Sequence, residues 1–150
     1  MPRFRFRLEP LLTARRHVER TKQRAVGELE RQRLELEDTL RRQQRFITEG
    51  KGALRDGLVG VLDLTEMRAL AGSTMQLMRR AQRMAIELAG VHSRLQTARA
   101  ELIEATRDRR AIELLRERRF DRWKAELKRA EDAALDELAV QAAGRKEPSR

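Results

Sequence analysis

Gly50-Lys51-Gly52-Ala53-Leu54-Arg55-Asp56-Gly57-Leu58-Val59-Gly60-Val61-Leu62-Asp63 is the stretch that decides the fold of this chain. It holds four of the eight glycines in the sequence. Glycine weakens helix and supplies turns. The sequence on either side is dominated by Ala, Leu, Glu, Arg and Gln, which are strong helix formers. The stretch is therefore where a helical chain reverses. Asp63 followed by Glu66 has the form of a helix start, with the aspartate accepting from the free amides of the next turn.

Working back from the reversal, no proline interrupts the chain until Pro10, which suits the first turn of a helix because its missing N–H is not needed there. Helix one is expected over about 10–55. Leu11, Val18, Ala25, Leu29, Leu36, Leu40, Ile47 and Leu54 step by seven or four along one helix face. Two sets within this region, Val18/Leu29/Leu40 and Ala25/Leu36/Ile47/Leu58, repeat every eleven residues, a spacing that predicts a nearly straight or slightly right-handed pairing. Arg15 and Lys22 fall close to the seam, where their aliphatic stems can lie along it while the charges reach water.

Working forward, the turn is expected over about 56–63 and helix two over about 64–143, with a frayed tail over 144–150. The helix-two stripe runs Met67, Ala71, Met75, Met78, Ala81, Ala85, Leu88, Val91, Leu95, Ala98, Leu102, Ala105 and Ile112, then Phe120, Trp123, Leu127, Ala130, Ala134 and Leu138. The fold class is all-α: two long helices forming an antiparallel coiled-coil hairpin in a single domain, the second helix longer. A reversal near residue 60 pairs positions whose numbers add to about 120, so that Leu40 faces Ala81, Leu36 faces Met84, Leu29 faces Val91 and Val18 faces Leu102. Helix two then overhangs its partner from about Phe120. Its apolar face there is either a binding surface or is covered by the lead-in, with Phe4, Phe6 and Leu8 extending the first helix.

Composition agrees with a narrow seam rather than a globular core. Charged residues make up 39% of the chain and aromatic residues 3%, with one tryptophan and no tyrosine. The net charge of +10 favours anionic partners, but acids are interleaved with the arginines, as in Glu28-Leu29-Glu30-Arg31, which favours a solvated helix surface over a continuous basic face. Cysteine is absent, no apolar run approaches a membrane span, and the basic N-terminus lacks the apolar run of a signal peptide. A soluble, cytoplasmic protein is expected.

The chemistry of an enzyme is not legible. His17 and His92 are the only histidines and complete no zinc set. There is no phosphate-cradling glycine motif. The many carboxylates fall on exposed helix faces, whereas a catalytic acid or base needs a pocket that shifts its pKa. No cofactor, metal or catalytic residue is assigned. A basic coiled coil that binds nucleic acid is the alternative from another class. It is disfavoured because stacking aromatics are few and no nucleic-acid-binding motif can be found.

The two ends of the chain carry a resemblance. Phe4-x-Phe6-x-Leu8-Glu9-x-Leu11-Leu12-x-x-Arg15 resembles the opening of FliJ-type flagellar export proteins. Leu115-Arg116-Glu117-Arg118-Arg119 with Trp123, then Glu131 and Leu135-Asp136-Glu137-Leu138-Ala139, is similar to that family's C-terminal segment. The resemblance implies a non-enzymatic component of the flagellar type III export apparatus: a central stalk and adaptor that links a hexameric export ATPase to a membrane-embedded export gate protein. The family is also linked to export chaperones. It implies a place at the cytoplasmic face of the inner membrane, at the flagellar base. The equivalent stalk of a virulence secretion system is a related alternative. For the gate contact the resemblance points to Thr39, Gln43, Phe46, Met75, Met78 and Gln82. Where relatives can carry an aromatic, this chain has Gly50. For the ATPase ring it points to Leu8, Leu11, Arg116, Arg118, Arg119, Trp123 and Leu127.

Overall fold

A computed structural model describes residues 3–61 and 63–144. Two helices account for nearly all of them: α1, Glu9–Asp56, and α2, Leu64–Gly144. There is no strand among the described residues. Six of the seven residues assigned to a frayed tail, 145–150, lie outside the description, and Gly144 closes α2.

The helix ends follow local chemistry. Pro10 stands in the first turn of α1, and the Glu9 amide donates to the carbonyl of Phe6 at 3.1 Å. At the far end, Gly57 N–H donates to Ala53 O at 2.9 Å. Leu58 and Val59 N–H then donate to Arg55 O and Asp56 O, both at 3.2 Å. These last two bonds tighten the chain into an i→i+3 turn. Gly60, at φ +101°, breaks the winding in a region that favours glycine. Asp63 opens α2 as the sequence indicated: its Oδ1 accepts from Thr65 N–H at 2.9 Å and Glu66 N–H at 3.1 Å.

The chain divides into two compact units. One is Arg20–Glu104. The other joins the two ends of the chain, Met1–Glu19 and Ala105–Arg150.

The Arg20–Glu104 unit is an antiparallel helical hairpin. On α1 the inward series is Lys22, Val26, Leu29, Arg33, Leu36, Leu40, Gln43, Ile47, Gly50 and Leu54. On α2 it is Met67, Leu70, Thr74, Leu77, Ala81, Met84, Leu88, Val91, Leu95, Ala98 and Leu102. Steps of three and four alternate without a break, so the repeat is seven and not eleven, the period of left-handed coiled coils. The seven-residue repeat corrects the apolar stripes on both helices. Ala25 is exposed and Val26 faces inward. On α2, Ala71, Met75 and Ala85 are exposed, and Leu70, Thr74, Leu77 and Met84 face inward instead. Thr74 fits because its contact is a glycine: a methyl added to Gly50 would lie 2.5 Å from Thr74 Oγ1.

The register is also corrected. Gly50 and Thr74 have numbers that add to 124, and every other inward pair of this unit fits the same sum. Leu40 is level with Met84, Leu36 with Leu88 and Leu29 with Leu95. Each is one helical turn from the expected partner. The cause is the i→i+3 turn over Leu58 and Val59, which carries the chain onward in the direction of α1 before Gly60 reverses it. Ion pairs sit on the flanks of this seam: Lys22 Nζ with Glu101 Oε2 at 2.6 Å, and Glu30 with Arg99.

In the unit of the chain ends, Leu12 is fully buried and Ala105 is 8% exposed. Leu11 and Val18, expected in the stripe, are 40 and 42% exposed. Their inward neighbours are Leu12 and Glu19. The lead-in is not helical, yet it covers part of the supposed overhang. The Phe4 ring meets Phe120 edge-on at 5.2 Å between centroids and lies 5.8 Å from Trp123. Phe120 and Trp123 stack at 5.7 Å. Phe6 is buried, with the Arg119 guanidinium carbon 5.9 Å from its ring centroid.

Candidate functional site

Two of the seam residues that sequence reasoning missed, Glu19 and Arg109, are ionic. Glu19 occupies an inward position of α1 and is 9% exposed. Its carboxylate accepts from Thr106 Oγ1 at 2.9 Å and lies 2.6 Å from Arg109 Nε. Arg109 also pairs with Glu113, which accepts a further bond from Arg16 Nη2 at 3.0 Å. Arg15 pairs with Asp108 at 2.7 Å beside this cluster. The bond from Arg16, then that from Arg109, holds the Glu113 carboxyl below its ordinary range. The bond to Glu113 leads in holding the Arg109 guanidinium above its own. The sevenfold series Leu12, Glu19, Val26, Arg33, Leu40 contains the signal that would have found this cluster. Val18, the apolar neighbour of Glu19, masks it.

Each carboxylate of this cluster is occupied by a cation already in place, and the described residues contain no group of three His, Asp or Glu fit to hold a metal. Its role is to hold the helices together where the apolar seam is interrupted.

Residues expected at a gate contact are not brought into one patch. Thr39 and Phe46 lie on one flank of α1. The Thr39 hydroxyl donates to Glu35 O at 2.8 Å and accepts from Arg42 Nη2 at 3.1 Å. Phe46 is 56% exposed, in a recess with Arg42, Arg45 and Glu49. Gln43 belongs to the seam itself, 9% exposed, with its Oε1 unpartnered. Met78 and Gln82 line a groove of about 380 Å³ on the opposite flank, over Leu40, Ile47 and Ala81, with Lys51 at one end. Met75, three residues before Met78 and so on the same side of α2, is 53% exposed. Gly50 is committed to its contact with Thr74, so that position presents nothing outward.

Residues expected at a ring contact fall together in the unit of the chain ends. Leu8 is half-buried and Leu11 is exposed. Arg116 Nε donates to Glu9 Oε2 at 3.0 Å, beside a basic recess that Arg3, Arg5 and Arg7 also line. Arg118 is exposed, and Arg119 caps Phe6. Trp123 and Leu127 are half-buried. From residue 128 to residue 142 every position is exposed; Leu135, Leu138 and Val140 are 64, 61 and 72% accessible.

A family model described as "FliJ: Flagellar FliJ protein" matches residues 4–148. No curated protein and no solved structure matches the chain.

Proposed function

The chain belongs to the FliJ family, a non-enzymatic component of the flagellar export apparatus, and from that premise we propose that it acts as the central stalk and adaptor of that apparatus. In this role one part enters the hexameric export ATPase and another touches the membrane-embedded export gate, at the cytoplasmic face of the inner membrane. Export chaperones are further partners. No described helix is long and apolar enough to cross a membrane.

The observation that carries this reading is the uncovered end of α2. The lead-in caps Phe120 and Trp123, and beyond Leu127 every position to residue 142 is exposed among the described residues. A single helix with exposed Leu135, Leu138 and Val140 and interleaved charges is suited to the bore of a ring. An asymmetric shaft in a symmetric ring must make several weak contacts rather than one tight one. Apolar groups spaced among charges provide them. The gate contact falls to the hairpin unit, through Phe46 on one flank and the Met75–Met78–Gln82 row on the other.

The test is stimulation of the hexameric export ATPase by the purified chain. Ending the chain after residue 127, or reversing charge at Arg116, Arg118 and Arg119, is expected to lower stimulation severalfold while helicity per residue is kept. Stimulation equal to that of the full chain would count against the ring contact. Loss of gate binding on Phe46→Ala or Met78→Ala, without loss of ATPase stimulation, would assign the two partners to separate units. A salt-sensitive shift of duplex DNA at physiological ionic strength would instead favour a nucleic-acid protein.

A further inference from the structure

Within the hairpin unit α2 carries two apolar series, and the pairing with α1 uses one of them. The series from Met67 to Leu102 faces inward. A second series, Ala71, Met75, Met78, Gln82, Ala85 and Ala89, alternates steps of four and three along an outward side. Met78 is half-buried and the rest are exposed. Ile86, 74% exposed, widens the series. Alternating steps of four and three mark a helix seam. A helix that is apolar on two sides has a second face left to bury. The second series borders the groove of about 380 Å³ over Leu40, Ile47 and Ala81, whose α1 wall is Gln44, Thr48 and Lys51.

Charge selects the occupant. Lys51 stands at one end of the groove, and Arg68 and Arg79 lie beside the series. All three are exposed and make no ion pair among the described residues. α2 has no acid from Met67 to Ile86. On α1, Glu49 lies in the recess of the other flank with Arg45 and Phe46. Two such grooves set face to face would bring like charges together, so the groove takes an acidic helix instead.

The chain itself holds that complement. From Ala130 to Ala142 the end of α2 carries Glu131, Asp132, Asp136 and Glu137 and no base, although the whole chain has a net charge of +10. Every position of this stretch is exposed. Ala134, Leu135, Leu138 and Ala142 share one side of the helix, with Asp132 and Glu137 bordering it. We propose that this acidic helix end docks as a third helix in the basic-rimmed groove of a second copy of the chain. One such contact is smaller than the roughly 800 Å² per partner of a stable pair. Each chain carries both surfaces, however, and a two-fold pair makes the contact twice. Self-pairing covers the helix end assigned to the ring and the Met75–Met78–Gln82 row assigned to the gate at the same time. The proposal goes beyond the stalk reading and does not rest on it.

The experiment is sedimentation velocity of the full chain over a concentration series at low and high salt. Concentration-dependent association is expected, weaker at high salt. Reversing the groove charges with Lys51→Glu and Arg79→Glu, or the helix-end charges with Asp132→Lys and Glu137→Lys, is expected to weaken association about tenfold. All four side chains are exposed. An equimolar mixture of the two variants is expected to associate again, because the reversed groove of one meets the reversed helix end of the other. The chain has no cysteine, so a donor dye at Leu138→Cys on one copy and an acceptor at Gln82→Cys on another can report the contact directly by energy transfer. A chain that stays monomeric throughout, undiminished association of either variant, a mixture that does not recover, or absent energy transfer would each overturn the proposal. The dye readout stands even if a charge variant folds poorly. ATPase stimulation enters none of these measurements, so their failure leaves the stalk reading intact.

Discussion

The hairpin unit and the unit of the chain ends use the same sevenfold spacing and fill it with different chemistry. In Arg20–Glu104 the levels are Leu29 with Leu95, Leu36 with Leu88, Leu40 with Met84 and Leu54 with Leu70. In the other unit the same positions hold Arg15, Glu19 and Arg109, and order depends on ion pairs, one buried leucine and an aromatic cluster. Apolar burial is non-directional and tolerant. Part-buried ion pairs gain little net stability, but a loss of one partner strands the others. One spacing therefore produces a strong half and a conditional half, and the conditional half is the one assigned above to the ring.

The comparison can be broken most directly in the strong half. Leu95 is 3% exposed, and Leu95→Ala is expected to cost about 2–5 kcal/mol. Denaturant titration followed by far-UV circular dichroism would measure it; a loss below about 1 kcal/mol would mean the apolar seam is not the main support.

A smaller effect is expected in the conditional half. Arg109→Ala leaves Glu19 and Glu113 facing each other without their shared cation. About a fifth of the Arg109 side chain remains accessible, at 22%, so solvent discounts the cost to about 1–2 kcal/mol, short of the figure for a fully buried pair. Trp123, the only tryptophan, lies in this unit and reports on it alone. In the unmodified chain its fluorescence is expected to change at lower denaturant than the bulk helicity. Coincident transitions would show the two halves to be equally stable.

Gly50 sharpens the contrast within the strong half. Gly50→Ala gains roughly 1 kcal/mol of helix propensity but drives a methyl onto Thr74, which typically costs about 1–3 kcal/mol. A net loss of about 1 kcal/mol is expected, turning to a gain when Thr74→Ala is added. A gain without that second change would show that the helices can part at this level.

The smallest effect is set by pH. The folded state holds the Glu113 carboxyl below its unfolded value of about 4.3. Its contribution is therefore fully present above that pH and is lost as pH falls through the folded pKa. The midpoint of the Trp123 transition is expected to fall between pH 5 and pH 3, and less so in Glu113→Gln. Equal slopes in the two proteins would remove Glu113 from the account.

Much of the fold was legible because helix propensity and glycine clustering act locally. The reversal between Gly50 and Asp63, the cap at Asp63 and the inward face from Leu88 to Ile112 all follow from neighbours in sequence. The phase of α1 ahead of Leu29 did not. Val18 outweighs Glu19 on hydrophobicity alone, and only the facing helix shows that Glu19 is the inward residue. The residues expected at the two contacts fared in the same way: Leu8 and Leu11, far in sequence from Arg116, Trp123 and Leu127, fall in one unit with them, while Phe46 and Met78 lie on opposite flanks.

The sequence by itself determined that this chain is helical, where it turns, and that its seam is narrow, because each of these depends on backbone preference and periodicity within a few residues. The tertiary structure alone decided the register, the pairing of Glu19 with Arg109, and the cover that Phe4 places over Phe120 and Trp123. Those depend on how far a turn carries the chain before it reverses and on which side chains then meet. Both are properties of two segments together, and no single stretch encodes them.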